Sequence, residues 1–251
     1  MKGTVYLVGA GPGAADLLTL RAARLLGEAD VVLHDALVGA EILSIAAKAE
    51  KIAVGKRCGR HSTAQRFINK RLADAAARHR VVVRLKGGDP MLFGRAHEEI
   101  AFLRKKQIQV EVVPGVTAAL AASAELQVSL TQRGLARSVL FATPRAAQGA
   151  APSSWARAVA AADTAVLYMA SGDAAHVKDE LLHAGMRGDT PVAIAEQVSL
   201  DSKTHCGVLR NLPELAARCV GGPALLLIGE VLAAISTKAV DMSVDSRLYT
   251  A

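Results

Sequence analysis

Short apolar runs alternate with amphipathic stretches through the first half of the chain. Runs at 4–8, 31–33, 51–54, 81–85 and 110–113 read as buried strands, rich in Val, Ile and Leu. Between them, apolar residues recur at helical spacing. One helix is predicted from an Asp16 cap through Leu17, Leu20, Ala23 and Leu26, with Gly27 fitting its end. Further helices are predicted over about 40–49, 64–78 and 96–106. This regular βα alternation predicts a parallel sheet with helices on both faces.

Pro114-Gly115 ends the fifth strand, and a small-residue helix follows over 116–126. A boundary between two α/β domains is expected there, giving 1–115 and 116–236, with 237–251 a mobile tail that lacks an apolar period. Beyond the boundary the spacing loosens. Strands are predicted at 138–143, 165–169, 191–196 and 224–228, with an edge strand at 203–208 and helices at 155–162, 174–184 and 212–218.

The run 84–95 interrupts the alternation with chemistry. The 81–85 strand gives way to Lys86-Gly87-Gly88-Asp89-Pro90, then Arg95. Two glycines permit close backbone approach or φ > 0. Pro90 keeps Asp89 extended, because a residue before proline avoids the α region. A fixed acid between basic residues at the end of a strand suits a small-molecule site, where open α/β sheets bind ligands. The first loop also matches a dinucleotide fingerprint, with Gly9, Gly11 and Ala14 after a strand and Asp30 or Asp35 further on. Pro12 weakens that match by removing one backbone N–H from a phosphate cradle.

Composition narrows the classes. With 251 residues, 51% of them hydrophobic, a sizeable core is available. The start of the chain lacks a signal-peptide plan, and no apolar run reaches spanning length. The three cysteines, Cys58, Cys206 and Cys219, are odd in number and lack metal-ligand spacing. A cytoplasmic location without membrane contact is expected, and no metal. The net charge of +7 fits a nucleic acid, a polyanionic small substrate or a plain basic surface. Aromatic residues are only 3% of the chain and the basic ones are dispersed, which argues against nucleic acid.

Six motifs occur together in one order: 8–13 (VGAGPG), 34–38 (HDALV), 54–62 (VGKRCGRHS), 84–95, 113–118 (VPGVTA) and 129–133 (SLTQR). In these the chain, from about residue 3 to 232, resembles the tetrapyrrole methylase family, and within it the branch that methylates uroporphyrinogen III. The resemblance implies two α/β domains, the first with a mainly parallel sheet and the second with a mixed one. It implies an active site in the cleft between them and a homodimer. It further implies two methyl transfers from S-adenosylmethionine to C2 and C7 of uroporphyrinogen III. The products are S-adenosylhomocysteine and precorrin-2, formed through precorrin-1, on the way to sirohaem, cobalamin or haem d1. A substrate with eight carboxylates would account for the basic excess.

By the same resemblance, cofactor contacts fall on Pro12, Gly87, Gly88, Asp89, Leu92, Thr117, Ala118, Met169 and Val198, the last through its main chain. Asp35 matches the family's proton acceptor and Lys56 its donor, although Lys56 suits propionate binding equally. Arg95, Glu98 and Arg133 match positions that face the tetrapyrrole. Read as residues alone, Met169 could line an adenine slot or belong to a core. Arg95 and Arg133 could grip carboxylates bidentately or lie on a plain surface. Glu98 could pair with Arg95 at i, i+3.

The chain departs from the family pattern at His34, Ala36, Ala96-His97, Thr143-Pro144-Arg145 and Val198. These changes bear on the grip on the tetrapyrrole rather than on the methyl donor. His97 and Arg145 would return positive charge there. Three other readings stand beside the main one. They are a sister methylase acting on a later corrin precursor, a tetrapyrrole carrier with weakened catalysis, and an NAD oxidoreductase.

Overall fold

The structure, a computed structural model, describes residues 2–55, 65–145 and 154–235. The chain divides after Ala118 into two compact units.

The first unit carries five strands: β1 (Thr4–Gly9), β2 (Val31–His34), β3 (Glu50–Ala53), β4 (Val81–Lys86) and β5 (Val110–Val113). They pair in the order β3-β2-β4-β1-β5, every pair parallel. Four helices connect them: α1 (Leu20–Glu28), α2 (Ala40–Ile45), α3 (Gln65–Ala76) and α4 (Ala96–Lys105). The inner strands β1, β2 and β4 are rich in Val and Leu and largely buried on both faces, as a parallel sheet requires. One face packs Val8, Val32 and Leu85 against Leu25 and Leu26 of α1 and Ile42 of α2. The other packs Val5, Leu33 and Val82 against Ile68 and Leu72 of α3 and Leu103 of α4.

This topology decides where a ligand can bind. β1 and β4 are neighbours, yet the helix after β1 lies on one face and the helix after β4 on the other. Their loops therefore part at the carboxyl edge of the sheet, the switch point at which open α/β sheets bind ligands.

The expected Asp16-capped helix is not formed as predicted. Ala15–Leu17 make a short 3-10 turn, and α1 starts only at Leu20. Its cap is Thr19, whose Oγ1 accepts the Ala22 N–H at 3.2 Å. Gly27 lies inside α1 rather than at its end.

The second unit begins with most of α5 (Ala118–Glu125). Its strands are β6 (Val139–Ala142), β7 (Thr164–Tyr168), β8 (Pro191–Glu196), β9 (Lys203–Val208) and β10 (Ala224–Gly229). They pair in the order β6-β7-β10-β8-β9. Only β6 and β7 run parallel; the other three pairs are antiparallel, so the sheet is mixed. Helices α6 (Trp155–Ala161), α7 (Ala174–His183) and α8 (Leu212–Ala216) pack Val159, Val177, Leu181 and Leu215 onto one face, over Leu167, Ile194 and Leu226. β9 is the edge strand, as the sequence predicts.

Both units start a parallel pair with the same device. Asp30, just before β2, accepts the N–H groups of Arg80 and Val81 at 2.9 Å each, where β4 begins. Asp163, just before β7, accepts those of Arg137 and Ser138 at 2.9 Å each, where β6 begins. These bonds hold both carboxyls below the usual aspartate range, with the Val81 N–H the larger cause for Asp30 and the Arg137 N–H for Asp163.

Candidate active site

At the carboxyl edge of the first sheet, three loops are fused through their backbones. Gly11 and Gly88 form a two-way bridge: the Gly88 N–H donates to Gly11 O at 2.7 Å and the Gly11 N–H to Gly88 O at 3.3 Å. The Ala10 N–H donates to Lys86 O at 2.7 Å. Gly11 and Gly88 both have positive φ, 71° and 66°, which glycine adopts without steric cost. The β5 loop closes against the same point. A Cβ on Gly9 would lie 2.6 Å from Gly115 Cα and 2.7 Å from Gly88 O. A Cβ on Gly115 would collide with Gly88 O. Glycine is required at both because backbone meets backbone.

Asp89 locks the arrangement. Its Oδ1 accepts the Met91 N–H at 2.8 Å, and its Oδ2 accepts the Gly115 N–H at 3.0 Å. The acid thus ties the β4 loop to the β5 loop. Each carboxylate oxygen keeps acceptor capacity for a further donor. Pro12 follows the bridged Gly11, and Leu92, half-buried, donates its N–H to Asp89 O at 3.3 Å. Thr117, buried, has its Cα 4.0 Å from where a Gly88 Cβ would stand. Ala118 opens α5.

The dinucleotide fingerprint does not survive this geometry. The N–H groups of Ala10 and Gly11 are spent on Lys86 and Gly88. The helix that should receive a pyrophosphate starts six residues beyond Ala14, at Leu20.

Asp35 follows β2 on the same edge. Its carboxylate Oδ1 accepts from Arg84 Nη2 at 2.5 Å, with its side chain 29% exposed. Behind it lies a buried charge cluster. Arg84 Nε donates to Glu99 Oε1 at 3.1 Å, and Lys86 Nζ donates to both Glu99 oxygens at 3.3 Å. Gln65 Nε2 adds a bond to Glu99 Oε1 at 3.1 Å. Burial, followed by the nearby Arg84 charge, pulls the Lys86 ammonium below its ordinary range. The loop after Asp35 passes close to the glycines: a Cβ on Gly87 would lie 3.4 Å from Leu37 Cβ. Gly55, two residues past β3, is more tightly confined, because its Cβ would meet Ala36 N at 2.5 Å and Asp35 Cα at 2.9 Å. Lys56, the next residue, lies outside the described residues.

Arg95 and Glu98 sit at the start of α4 and hold each other. Arg95 Nε donates to Glu98 Oε1 at 2.7 Å, and Nη2 donates to Oε2 at 2.9 Å. The bond raises the Arg95 pKa and lowers that of Glu98. Arg95 caps α4 with φ 56°, a left-handed conformation uncommon outside glycine.

In the second unit, Met169 follows β7 and Val198 lies two residues beyond β8. These strands run the same way on either side of β10, so both residues lie at one edge of that sheet. Met169 has φ 59° and is 45% exposed, whereas Val198 is buried. Arg133 is exposed in a tight turn closed by the Gln132–Ala136 bridge.

A family model for tetrapyrrole (corrin/porphyrin) methylases matches residues 4–213. The chain belongs to the tetrapyrrole methylases. A siroheme synthase of Chromobacterium violaceum is 43% identical over 233 residues, 92% of this chain and 50% of that protein. This methylase thus spans about half the length of the curated relatives it matches. A crystal structure of uroporphyrin-III C-methyl transferase from Thermus thermophilus, complexed with S-adenyl homocysteine, is 41% identical with a TM-score of 0.81. The match covers 92% of this chain and 100% of that one. A cobalt precorrin-4 methyltransferase structure is 28% identical with a TM-score of 0.80, over 91% of this chain and 95% of that one.

The sequence reading of the methylase left Arg84, Lys86 and Glu99 without roles. A signal was present: Arg84 and Lys86 flank Leu85 at strand period two, so both side chains share one face of an otherwise apolar strand. Two charges on one buried face require a buried acid, and Glu99 supplies it.

Proposed function

We propose that this methylase transfers methyl groups from S-adenosylmethionine to C2 and C7 of uroporphyrinogen III, giving precorrin-2 through precorrin-1. The observation that carries the reading is the Gly11–Gly88 bridge, closed by Gly115 and locked by Asp89, at the carboxyl edge of the first sheet.

The residues fit the methyl donor. No side-chain atom lies within 4 Å of where a Gly88 Cβ would stand, and Asp89 offers fixed acceptors to hydroxyl or ammonium groups. Pro12, Leu92, Thr117 and Ala118 surround these with apolar or small groups. Met169 and, through its main chain, Val198 are assigned as cofactor contacts on the family pattern. When bound, S-adenosylmethionine supplies a methyl carbon already electrophilic at a sulfonium. The chain's task is to align the reactants at roughly 3–3.5 Å and to take up a proton afterwards. Asp35 is assigned that proton, with Arg84 holding its carboxylate in one orientation. Lys56 is assigned as the proton donor. Arg95, Glu98 and Arg133 are assigned to the tetrapyrrole carboxylates, with Arg95 exchanging Glu98 for a propionate. The net charge of +7 favours an approaching polyanion. The reading includes a cytoplasmic homodimer, which light scattering of the purified chain tests. No helix among the described residues is long and apolar enough to cross a membrane.

Thermal shift with S-adenosylhomocysteine, then turnover on uroporphyrinogen III, tests the function. Stabilisation followed by formation of S-adenosylhomocysteine and a red-fluorescent trimethylated overrun product is expected. Stabilisation by NAD instead would overturn it, as would tetrapyrrole binding without consumption of S-adenosylmethionine.

A further inference from the structure

Glu196, His205 and Cys219 have no role in the reading above, and their donor atoms are all within 4.8 Å of one another. Glu196 ends β8 and is 1% exposed. His205 lies on β9, directly opposite Ile194. Opposite residues of an antiparallel pair share a face, so His205 and Glu196 are diagonal neighbours on one face of the sheet. His205 Nε2 is 3.2 Å from Glu196 Oε2. Cys219 lies three residues beyond α8, packed against the same core.

Glu196 is a buried acid with hydrogen-bond partners on both oxygens. A buried carboxylate needs compensation. Glu196 has His205 and two long bonds, from the Val220 N–H at 3.4 Å and the Gly221 N–H at 3.3 Å. A thiol completes the set. Sulfur, imidazole nitrogen and carboxylate oxygen together are the donors zinc takes, and three protein ligands leave a fourth position for water. His205 and Cys219 are only partly buried, so an ion has a route in. Ligand bonds of about 2.0–2.3 Å place donors roughly 3.5 Å apart around a tetrahedral ion. The His205–Glu196 spacing already meets that.

We propose that Glu196, His205 and Cys219 bind one zinc ion in the second unit, fastening the β8–β9 pair to the turn that leads into β10. Zinc binds the thiolate, so the Cys219 proton is released to solvent as the sulfur–zinc bond forms. The three cysteines in sequence gave no metal-ligand spacing because two of these three ligands are not cysteines, and the sheet brings them together.

The test is titration of the chelator-stripped full chain with zinc alone, and with cobalt as a spectroscopic stand-in. One zinc per chain, a raised Tm and a thiolate-to-cobalt charge-transfer band are expected. Cys219→Ser should remove the band and weaken zinc binding by more than about a hundredfold, beyond what loss of an outer-shell partner costs. Cys206→Ser should change neither. His205→Gln provides an independent arm should Cys219→Ser fail to fold. Zinc that leaves Tm unchanged, or a band that persists in both Cys219→Ser and His205→Gln, overturns the proposal and leaves the cluster a hydrogen-bonded tie.

Discussion

Arg84 holds Asp35 by a 2.5 Å contact from Nη2 to Oδ1, and the same guanidinium reaches Glu99 through Nε at 3.1 Å. Arg84 is 2% exposed and Glu99 is fully buried, whereas Asp35 opens toward solvent. One arginine therefore joins an interior charge to an acid at the edge of the sheet. Its Nη1 is also spent, on Leu85 O at 3.1 Å and Leu33 O at 3.4 Å, so the fork has little freedom to rotate.

Removing that arginine should cost stability as well as activity. Arg84→Met leaves Glu99 with Lys86 as its remaining ionic partner, and breaking a buried pair costs about 3–5 kcal/mol. Urea unfolding should show a lower midpoint at unchanged slope. Glu99→Gln alone should be similarly costly. The double variant should lose less than the sum, because each single change strands the other's charge. Strict additivity would mean that the two side chains do not act as a pair.

Asp35→Asn keeps the shape and hydrogen-bonding oxygen but cannot take a proton. Turnover should fall by about 10²–10⁴, the usual contribution of a positioned base. Affinity for S-adenosylhomocysteine should stay at the parent value. An unchanged kcat would remove Asp35 from the mechanism.

The glycine contact at the loop junction gives a paired test. Gly9→Ala forces a methyl group against Gly115 and Gly88 backbone, so a loss of roughly 1–3 kcal/mol and weaker S-adenosylhomocysteine binding are expected. Gly27→Ala, within α1 and with nothing near its Cβ position, should stabilise by up to about 1 kcal/mol. Thermal unfolding with and without ligand distinguishes them.

Acid should undo the two strand-entry aspartates. Their folded pKa lies below the ordinary 3.8, so the unfolded chain binds more protons in that range. Their contribution is complete above about pH 4 and is lost as the pH falls through the folded values. Replacing Asp30 or Asp163 with Asn should flatten the fall in stability as the pH drops below about 4. Equal acid slopes in parent and variants would show that other carboxylates govern it.

Much of this molecule is legible from the order of its residues. Period-two and helical spacing are local properties, so the βα alternation, the strand at 191–196 and the edge strand at 203–208 could be read directly. Glycine and proline act on their own backbone, so the loop at 87–90 announced itself. The cap of α1 was harder, because Asp16 and Thr19 both suit the role, and Asp16 falls instead within the 3-10 turn Ala15–Leu17. Other relations are not local at all. Gly9, Gly88 and Gly115 lie far apart in sequence, and their need for glycine arises only when parallel pairing brings three strand ends to one edge. The buried charges of Arg84, Lys86 and Glu99 balance only after α4 packs against the sheet. Glu196, His205 and Cys219 come together only through the β8–β9 register and the return of the chain past α8. Sequence determined the elements and the loops; tertiary structure chose which polar groups meet, because a buried charge or a missing side chain is explained by its neighbours in space.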